Sequence, residues 1–439
     1  MSRKSSRRQF LKQSAILSAT PFIGTVARPV LGASDKVHIA CVGVGGKGES
    51  DMIETSVGHE VVAICDVDQR MLDNAARRYP NAKRYTDWRK MLEQKDIDAV
   101  TVSTADHTHA PVSMSAMSLG KHVYTQKPLT HTVYEARQLA IAAKKHGVVT
   151  QMGIQHHASA RLKMAVKAIQ DGVIGKVSEA HSWTDRPGNY WQQGMKRPEN
   201  SSPVPGYLAW DQWLGTAPER PYVDGVYHAF RWRGWWDFGT GVVGDMACHL
   251  LDPVFNALQL PAPSVVTAEG PPPNPESGPE WSIMHWEFPG TAHTTPTFKL
   301  HWYEAGKQPP REIFKAPANW AGSLNGVLFV GQKGNLFVGF PENPELFPVE
   351  DFKGYKFPEM QDHNHYLEWT NAILGNGKPS CPFAYSGPLT EMALLGNVAY
   401  RTGKKIVWDS AALKAQGVPE ADALIRRAYR KGWEVPGLS

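Results

Sequence analysis

The chain has 439 residues, a formal net charge of +5 and 42% hydrophobic residues, a composition typical of a soluble globular protein. Residues 1–33 contain six basic residues and no acid, which leaves about −1 for the remainder and gives no support for a nucleic-acid partner. The remaining residues, about 400, exceed what one hydrophobic core usually organises, so two domains are expected. The four cysteines lie far apart without CxxC pairing, which favours buried thiols over a disulfide framework.

The first 33 residues have the features of an export signal. SRRQFLK at residues 6–12 precedes a modestly apolar stretch that contains Pro21 and Gly24 and is too short to span a bilayer comfortably. This pattern resembles a twin-arginine signal and predicts recognition by the Tat export machinery, a periplasmic location and no stable membrane span after processing. The alternative is a basic disordered tail.

The stretch at residues 37–48, VHIACVGVGGKG, runs from an apolar strand pattern into glycines spaced as GxGxxG, at Gly43, Gly45 and Gly48. These glycines would allow a tight turn, close approach to a pyrophosphate and close packing of the following helix. A second strand pattern, HEVVAIC, runs into Asp66, where a dinucleotide fingerprint expects an acid on the ribose 2′-hydroxyl. The alternative is an ordinary glycine-rich turn.

The first part of the chain alternates strand and helix patterns, which predicts parallel βαβ units. The strand patterns lie at Val37–Val42, Val61–Cys65, Ala99–Ser103, Lys121–Thr125 and Val148–Met152, and the helical patterns at Met71–Tyr79, Ala110–Leu119 and Val133–His146.

After about residue 155 the patterns become long and strand-like, which predicts a large, mostly antiparallel sheet. Gly270–Pro279 and Gln308–Pro317 are expected to be surface loops, and Tyr366–Leu374 and Leu389–Thr402 to be helices near the domain junction.

The predicted fold class is therefore α/β, with a doubly wound Rossmann domain followed by an α+β domain with an open sheet. An open sheet face needs covering, so a homodimer or homotetramer is expected. The predicted segments are 1–33 (signal peptide), 36–155 (nucleotide domain), 156–410 (substrate-binding and oligomerisation domain) and 411–439 (C-terminal tail).

Lys127, in GKHVYTQKPLT, follows the fourth of these strand patterns and is expected to face the crevice at the carboxyl ends of the strands. The alternative is a solvated surface lysine. Asp245 and His249 lie four residues apart, so on a helix the carboxylate could orient the imidazole for proton transfer. The alternative is that Asp245 is an N-cap and His249 a partly exposed helical residue.

Seven tryptophans crowd between residues 183 and 236, among several arginines and tyrosines. Flat aromatic faces beside charged hydrogen-bonding groups suit a carbohydrate, although most of these rings could equally lie in the core. The candidate substrate residues are Trp183, Arg186, Tyr190, Tyr227 and Trp235.

Taken together, the glycine turn and four further motifs resemble the glucose-fructose oxidoreductase, inositol dehydrogenase and MocA family. The motifs are AVTVSTADHTHA with His109, GKHVYTQKP with Lys127, QMGIQ ending in Gln155, and GDMACH with Asp245 and His249. The resemblance implies a catalytic set of Lys127, Asp245 and His249. It also implies that Thr104, Asp106, His109 and Gln155 lie near the ribose and nicotinamide. Gln126 departs from the glutamate that this family usually has beside the lysine.

The resulting hypothesis is hydride transfer between a sugar or polyol hydroxyl and a tightly held nicotinamide cofactor. His249 would accept the hydroxyl proton, Asp245 would orient it, and Lys127 would stabilise the developing alkoxide. NAD is favoured because Asp66 would repel the 2′-phosphate of NADP, although Arg70 nearby could soften that repulsion and keeps NADP as the alternative.

An exported enzyme with a trapped cofactor must regenerate that cofactor in place. This requirement leaves open a redox-assisted glycosidase, in which oxidation, elimination and re-reduction give no net NAD turnover. Tyr190, Tyr227, His156 and His181 are candidates for the extra acid or base.

Two further function classes remain open. One is a metal-dependent hydrolase or lyase, although no metal is expected from the sequence. The other is a binding protein that keeps the nucleotide as a structural element. The candidate metal ligands would be Asp245 and the histidines at 107, 109, 156, 157 and 249.

Overall fold

The computed structural model describes residues 35–340 and 342–439, so the proposed signal at residues 1–33 lies outside the described residues. The strands of the first domain are β1 (His38–Val42), β2 (Glu60–Cys65), β3 (Lys83–Tyr85), β4 (Ala99–Val102), β5 (His122–Gln126) and β6 (Thr150–Gly153). Its helices are α1 (Lys47–Thr55), α2 (Gln69–Arg78), α3 (Trp88–Met91), α4 (Asp106–Ser118) and α5 (Val133–His146). The six strands are parallel and lie in the order β3-β2-β1-β4-β5-β6, which is that of a doubly wound dinucleotide-binding domain.

Local sequence explains how well each of these elements was predicted. Helix α5 has the predicted bounds because Thr132 and Glu135 form a capping box at its start and Gly147 adopts a left-handed conformation at its end. Strand β3 was missed, since two of its three residues are charged and no apolar run marks it. Helix α4 begins at Asp106, four residues before the predicted start, because its first turn is polar.

The second domain contains a nine-stranded sheet. Its strands are β7 (Val177–Trp183), β8 (Val265–Glu269), β9 (Ile283–Pro289), β10 (Thr294–Tyr303), β11 (Gly326–Gly331), β12 (Asn335–Gly339), β13 (Glu345–Phe347), β14 (Ile406–Asp409) and β15 (Lys414–Ala415). The order is β13-β12-β11-β7-β10-β9-β8-β14-β15. Only the β7–β10 pair is parallel among the pairs in the described residues, so the expected mostly antiparallel sheet is confirmed.

Helices of the second domain cover one face of this sheet and join it to the first domain. They are α6 (Ala160–Gln170), α7 (Trp210–Leu214), α8 (Cys248–Leu250), α9 (Asp252–Leu258), α10 (His365–Ile373), α11 (Phe383–Thr402) and α12 (Asp422–Ile425), with a π-helical turn at Val243–Ala247 just before α8. Helix α11 packs against both α5 and β8, and α10 packs against α1. The two late helices therefore lie at the domain junction.

Two segments without long regular elements wrap around the first domain. Within residues 184–240, the Tyr207 carbonyl accepts a hydrogen bond from the Gln69 amide at 2.8 Å. In the C-terminal segment 411–439, the Tyr429 hydroxyl donates to Glu135 at 2.7 Å, and Leu438 is buried.

All four cysteines are free and buried. No helix in the described part of the chain is long and apolar enough to cross a membrane.

Candidate active site

A cavity of about 550 Å³ opens at the carboxyl ends of the parallel strands, below the 184–240 segment and beside the π-helical turn. It brings together ten of the sequence-predicted site residues: Gly43, Gly45, Asp66, Thr104, Asp106, Lys127, Gln155, Arg186, Asp245 and His249. The positions expected for nucleotide binding and for catalysis thus share one enclosure.

The glycine turn forms one wall of the cavity. Gly43 has a φ of +77°, and a Cβ there would lie 2.5 Å from the Ser103 carbonyl oxygen. Gly48 lies behind the wall, where a Cβ would come within 2.0 Å of the Gly43 carbonyl oxygen. Helix α1 begins after Gly46, and no side chain caps its first N–H groups. The turn therefore presents an uncapped helix N-terminus to the cavity, as a pyrophosphate cradle requires.

Asp66 directly follows β2 and holds this turn in place. Its carboxylate accepts hydrogen bonds from the Val44 and Asp68 amides, both at 2.9 Å, and burial raises its pKa. Arg70, expected to soften the charge of Asp66, instead pairs with Asp68 at 2.7 Å and stacks on Tyr207 at 3.6 Å. The negative charge of Asp66 is therefore not neutralised by Arg70.

Lys127 and Asp245 form an ion pair at the other end of the cavity. The Lys127 ammonium donates to both Oδ1 and the main-chain oxygen of Asp245 at 2.7 Å, which leaves one of its three protons for another acceptor. The Arg233 guanidinium also donates to Oδ1, at 3.3 Å. Burial opposes ionisation of Asp245, but the two cations outweigh it and hold the pKa of this carboxyl well below its usual range. Lys127 thus lines the cavity and is not a solvated surface lysine.

His249 lies four residues beyond Asp245 without a hydrogen bond between the two side chains in the described structure, so the expectation that the carboxylate orients the imidazole is corrected. The Asp245 carboxylate is instead engaged by Lys127 and Arg233. Burial first, and the Lys127 charge second, lower the pKa of His249 to about 3, against the value near 6.5 that the sequence suggested. The imidazole is therefore neutral at neutral pH, and its buried Nδ1 has no partner.

Position 126 has a glutamine in place of the family's usual glutamate, but another carboxylate lies next to it in the fold. Gln126 donates at 2.8 Å to Asp51, a fully buried residue of α1. Asp51 also accepts from Ser103 at 2.7 Å and Lys47 at 2.6 Å. The carboxylate of Asp51 thus contacts the residue that precedes Lys127, and no sequence motif identified Asp51.

Asp106 lies deep in the cavity wall, where the Thr240 amide and hydroxyl donate to its Oδ2 at 3.0 and 2.6 Å. His109 lies outside the lining and contacts the carbonyls of Pro128 and Thr104 at 2.7 and 3.0 Å, while the Gln155 amide donates to Tyr124 at 2.8 Å. His109 therefore has a positioning role in holding Thr104 and the loop after Lys127.

Because Asp106 is buried, we expect the stability of the folded protein to depend on pH. Burial raises its pKa from an ordinary 3.8 to about 7, so this group favours the folded state at low pH and loses that contribution as the pH rises from about 4 to about 7. Asp106→Asn keeps an oxygen acceptor for Thr240 and removes the ionisation. The melting temperature of the cofactor-free variant should rise relative to wild type by several degrees between pH 4 and 7, and remain higher above pH 7. A pH-independent difference would contradict this assignment.

The predicted substrate residues separate into two groups. Arg186 lines the cavity, and the exposed Tyr190 ring lies under its guanidinium at 3.5 Å. Trp183 is buried against Phe337 on the far face of the large sheet. Tyr227 and Trp235 contact each other in a buried aromatic cluster outside the cavity lining, so these three rings do not line the cavity. Trp213, Trp232 and Arg233, which belong to the same aromatic and basic region but were not chosen as candidates, also line the cavity, as do His228 and Phe230.

The histidines considered as metal ligands do not converge in the described residues. His107, for example, contacts the carbonyls of Phe238 and Trp213 at 3.2 and 3.0 Å. The metal-capable group within the described part of the chain lies elsewhere, on the large sheet.

Comparison with known proteins agrees with this architecture. Residues 37–154 match a family model described as oxidoreductase family, NAD-binding Rossmann fold, and residues 159–290 match that family's C-terminal alpha/beta domain. The chain belongs to the Gfo/Idh/MocA oxidoreductase family. Its first domain is the NAD-binding Rossmann domain of this family.

Two curated relatives match part of the chain. A levoglucosan dehydrogenase from Pseudarthrobacter phenanthrenivorans is 26% identical, over 43% of this chain and 40% of its own length. A glycosyl hydrolase family 109 protein from Shewanella sp. strain MR-4 is 28% identical, over 39% of this chain and 44% of its own length. The chain therefore spans less than half the length of these curated relatives.

A solved structure shares the fold over most of the chain. The WlbA dehydrogenase from Bordetella pertussis, solved with NADH and UDP-GlcNAcA, superposes with a TM-score of 0.59 at 18% identity. The match covers 85% of this chain and 99% of that chain. At this identity the likeness shows the fold alone.

Proposed function

We propose that this protein is an NAD-dependent oxidoreductase that transfers hydride between a sugar or polyol hydroxyl and a tightly held cofactor. One observation carries the proposal: Lys127, paired with Asp245 at 2.7 Å, shares the cavity of the glycine turn with the neutral His249. The family's NAD-binding domain supports the cofactor, and the sugar chemistry in the relatives' names supports the substrate class.

The chain's own residues fit the cofactor. The uncapped N-terminus of α1 would hold a pyrophosphate, and Asp66 would accept from a ribose hydroxyl with the lone pairs that its two amide partners leave free. When bound, the nicotinamide supplies the hydride acceptor or donor.

The catalytic roles follow from the charges in the cavity. The free N–H of Lys127 would donate to the substrate oxygen and stabilise the negative charge that develops as hydride leaves the carbon. His249, neutral in the free protein, has a lone pair available to accept the hydroxyl proton. The role of Asp245 differs from that expected from spacing, because it holds the lysine and not the imidazole.

The Asp66 carboxylate also predicts the choice between NAD and NADP. Asp66→Ser should lower the preference for NAD over NADP by at least tenfold, because the 2′-phosphate of NADP would no longer face a carboxylate that Arg70 leaves unneutralised. The ratio of dissociation constants for the two cofactors measures the effect. Asp73→Ser, an exposed change on α2, is the control and should leave the ratio unaltered. An unchanged ratio in Asp66→Ser would contradict the placement of the ribose.

We also propose that the protein is exported by the twin-arginine route to the periplasm and works as a homodimer or homotetramer. The SRRQFLK pattern supports export, and the expectation that an open sheet face needs covering supports oligomerisation. Export of a folded protein favours a cofactor that travels with it.

Mass spectrometry of denatured, freshly purified protein tests the proposed function. We expect about one NAD(H) per chain, and a change in absorbance of the bound nicotinamide when a sugar from a panel of sugars and glycosides is added. Neither a released dinucleotide nor a spectral response to any sugar would contradict the proposal.

A redox-assisted glycosidase remains the second candidate. The glycosyl hydrolase family 109 relative favours it, and the structure adds that His156 and His249 both contact the Phe340 ring, with centroid distances of 4.6 and 5.9 Å. Of the four residues considered for an extra acid or base, His156 is thus the one beside the catalytic set. Release of an aglycone without net NADH would favour this route, whereas steady NADH formation from added NAD would favour the simple dehydrogenase.

A further inference from the structure

One face of the large sheet, the face opposite to helix α8 and His249, carries a group of histidines and glutamates. Glu179 and His181 alternate along β7 with Ala180 and Ser182, which belong to the opposite face. The Ser182 hydroxyl donates to the Leu250 carbonyl of α8, so its face is the one toward His249. The histidine group is therefore separated from the hydride-transfer site by the sheet.

Three of these side chains converge on one point. His181 and His301 are directly paired across the parallel strands β7 and β10, and their rings stack at 4.6 Å. The Nε2 atoms of His181 and His301 lie 3.8 and 3.7 Å from the two oxygens of the Glu179 carboxylate. Candidate ligand atoms of the three residues lie within 4.8 Å of one another. His181 is only 5% exposed, and its Nε2 has no hydrogen-bond partner in the described structure.

The other ring nitrogen of each imidazole has a partner of its own, which leaves the two Nε2 atoms as the candidate ligand atoms. The Glu269 carboxylate accepts from His285 Nε2 at 3.1 Å, which makes His285 Nδ1 an acceptor. His301 Nδ1 then donates to His285 Nδ1 at 2.6 Å, and this leaves a lone pair on His301 Nε2. His181 Nδ1 contacts the Tyr303 hydroxyl at 3.0 Å. Ligating histidines in metalloproteins usually have their other ring nitrogen bonded in this way.

We propose that Glu179, His181 and His301 form a binding site for a divalent transition-metal ion, with Zn²⁺ as the best fit. Two imidazoles and one carboxylate are ligands that Zn²⁺ prefers, and the side chains of Glu179 and His301, 34% and 17% exposed, leave room for water as a fourth ligand. Zinc ligands of this kind lie about 3.3 Å apart, whereas the candidate atoms here lie within 4.8 Å of one another, so metal binding requires a contraction of up to about 1.5 Å and a tilt of the two stacked rings toward each other. The ion would join β7 to β10 and stabilise the sheet without taking part in hydride transfer.

Titration of the metal-free full chain with Zn²⁺ alone, and with Co²⁺ as a spectroscopic probe, tests this proposal. We expect one equivalent to bind per chain, a visible Co²⁺ absorption band, and a rise in melting temperature on addition of Zn²⁺. His301→Gln and Glu179→Gln should each weaken binding at least tenfold. His146→Gln, on α5 in the first domain, is the matched control and should bind as wild type does.

Sugar-dependent hydride transfer should be unchanged in His301→Gln, so failure of the metal site and failure of the proposed function are distinguishable. Two results would overturn the proposal. One is binding in wild type that both variants retain, which would show an adventitious ion only. The other is the absence of saturable metal binding by the wild-type protein. A pH titration would then show that the three side chains share a proton and not a metal ion.

Discussion

Lys127→Met should lower kcat/KM for sugar oxidation by at least about three orders of magnitude while NAD remains bound. Removing one donor to a developing oxyanion costs roughly 10²–10³ in rate. The loss here is larger because Asp245 would keep its buried negative charge with Arg233 as its remaining cationic partner at 3.3 Å in the described site. Methionine retains the apolar stem, so the cavity keeps most of its shape. Steady-state rates, with NAD content measured by mass spectrometry, check this result.

Two controls separate chemistry from folding in this experiment. Lys145→Met, at an exposed position of α5, should retain full activity. The melting temperature of Lys127→Met should fall, because Asp245 loses its nearest cationic partner, so the rates are compared at a temperature at which both proteins are folded. Full turnover by Lys127→Met would show that the ammonium does not act on the substrate.

His249→Ala is expected to lower kcat by about 10²–10⁴, the range for loss of a positioned proton acceptor. Added imidazole should restore part of the rate, because the truncated side chain leaves a space of the same shape beside the cavity. Since the pKa of His249 is about 3 in the free protein, kcat/KM of wild type should show no acid limb from this residue between pH 5 and 8. Rates as a function of pH and imidazole concentration check both expectations.

His146→Ala is the control for imidazole addition and should show neither loss nor rescue. A wild-type rate in His249→Ala would contradict the role of His249 as the proton acceptor. Loss without rescue, accompanied by a lower melting temperature, would assign His249 a structural role through its contact with Phe340.

The nucleotide domain could be predicted from sequence because its signals are local. The apolar run of β1, the glycine turn and the capping box of α5 each lie within about a dozen residues. Lys127 was also placed correctly, because in a parallel sheet the carboxyl ends of the strands share one edge.

The partners within the site could not be predicted, because they depend on contacts between distant segments. Spacing put Asp245 and His249 on one helical face, yet the carboxylate pairs with Lys127, 118 residues away in sequence. The tryptophan-rich segment predicted the right region for the cavity lining, but the rings chosen within it do not line the cavity. Trp183, at the end of β7, and Trp235 are buried outside the cavity lining, whereas Trp213 and Trp232 line it. No periodicity in the irregular 184–240 segment distinguishes Trp235 from Trp213 and Trp232.

A crystal structure of the protein with bound NAD tests the central claim most directly. We expect the nicotinamide ring to lie against both the Lys127 ammonium and the His249 imidazole, with the pyrophosphate at the start of α1. A ring seated away from these two groups, or a cleft that takes no dinucleotide at saturating NAD, would contradict the account.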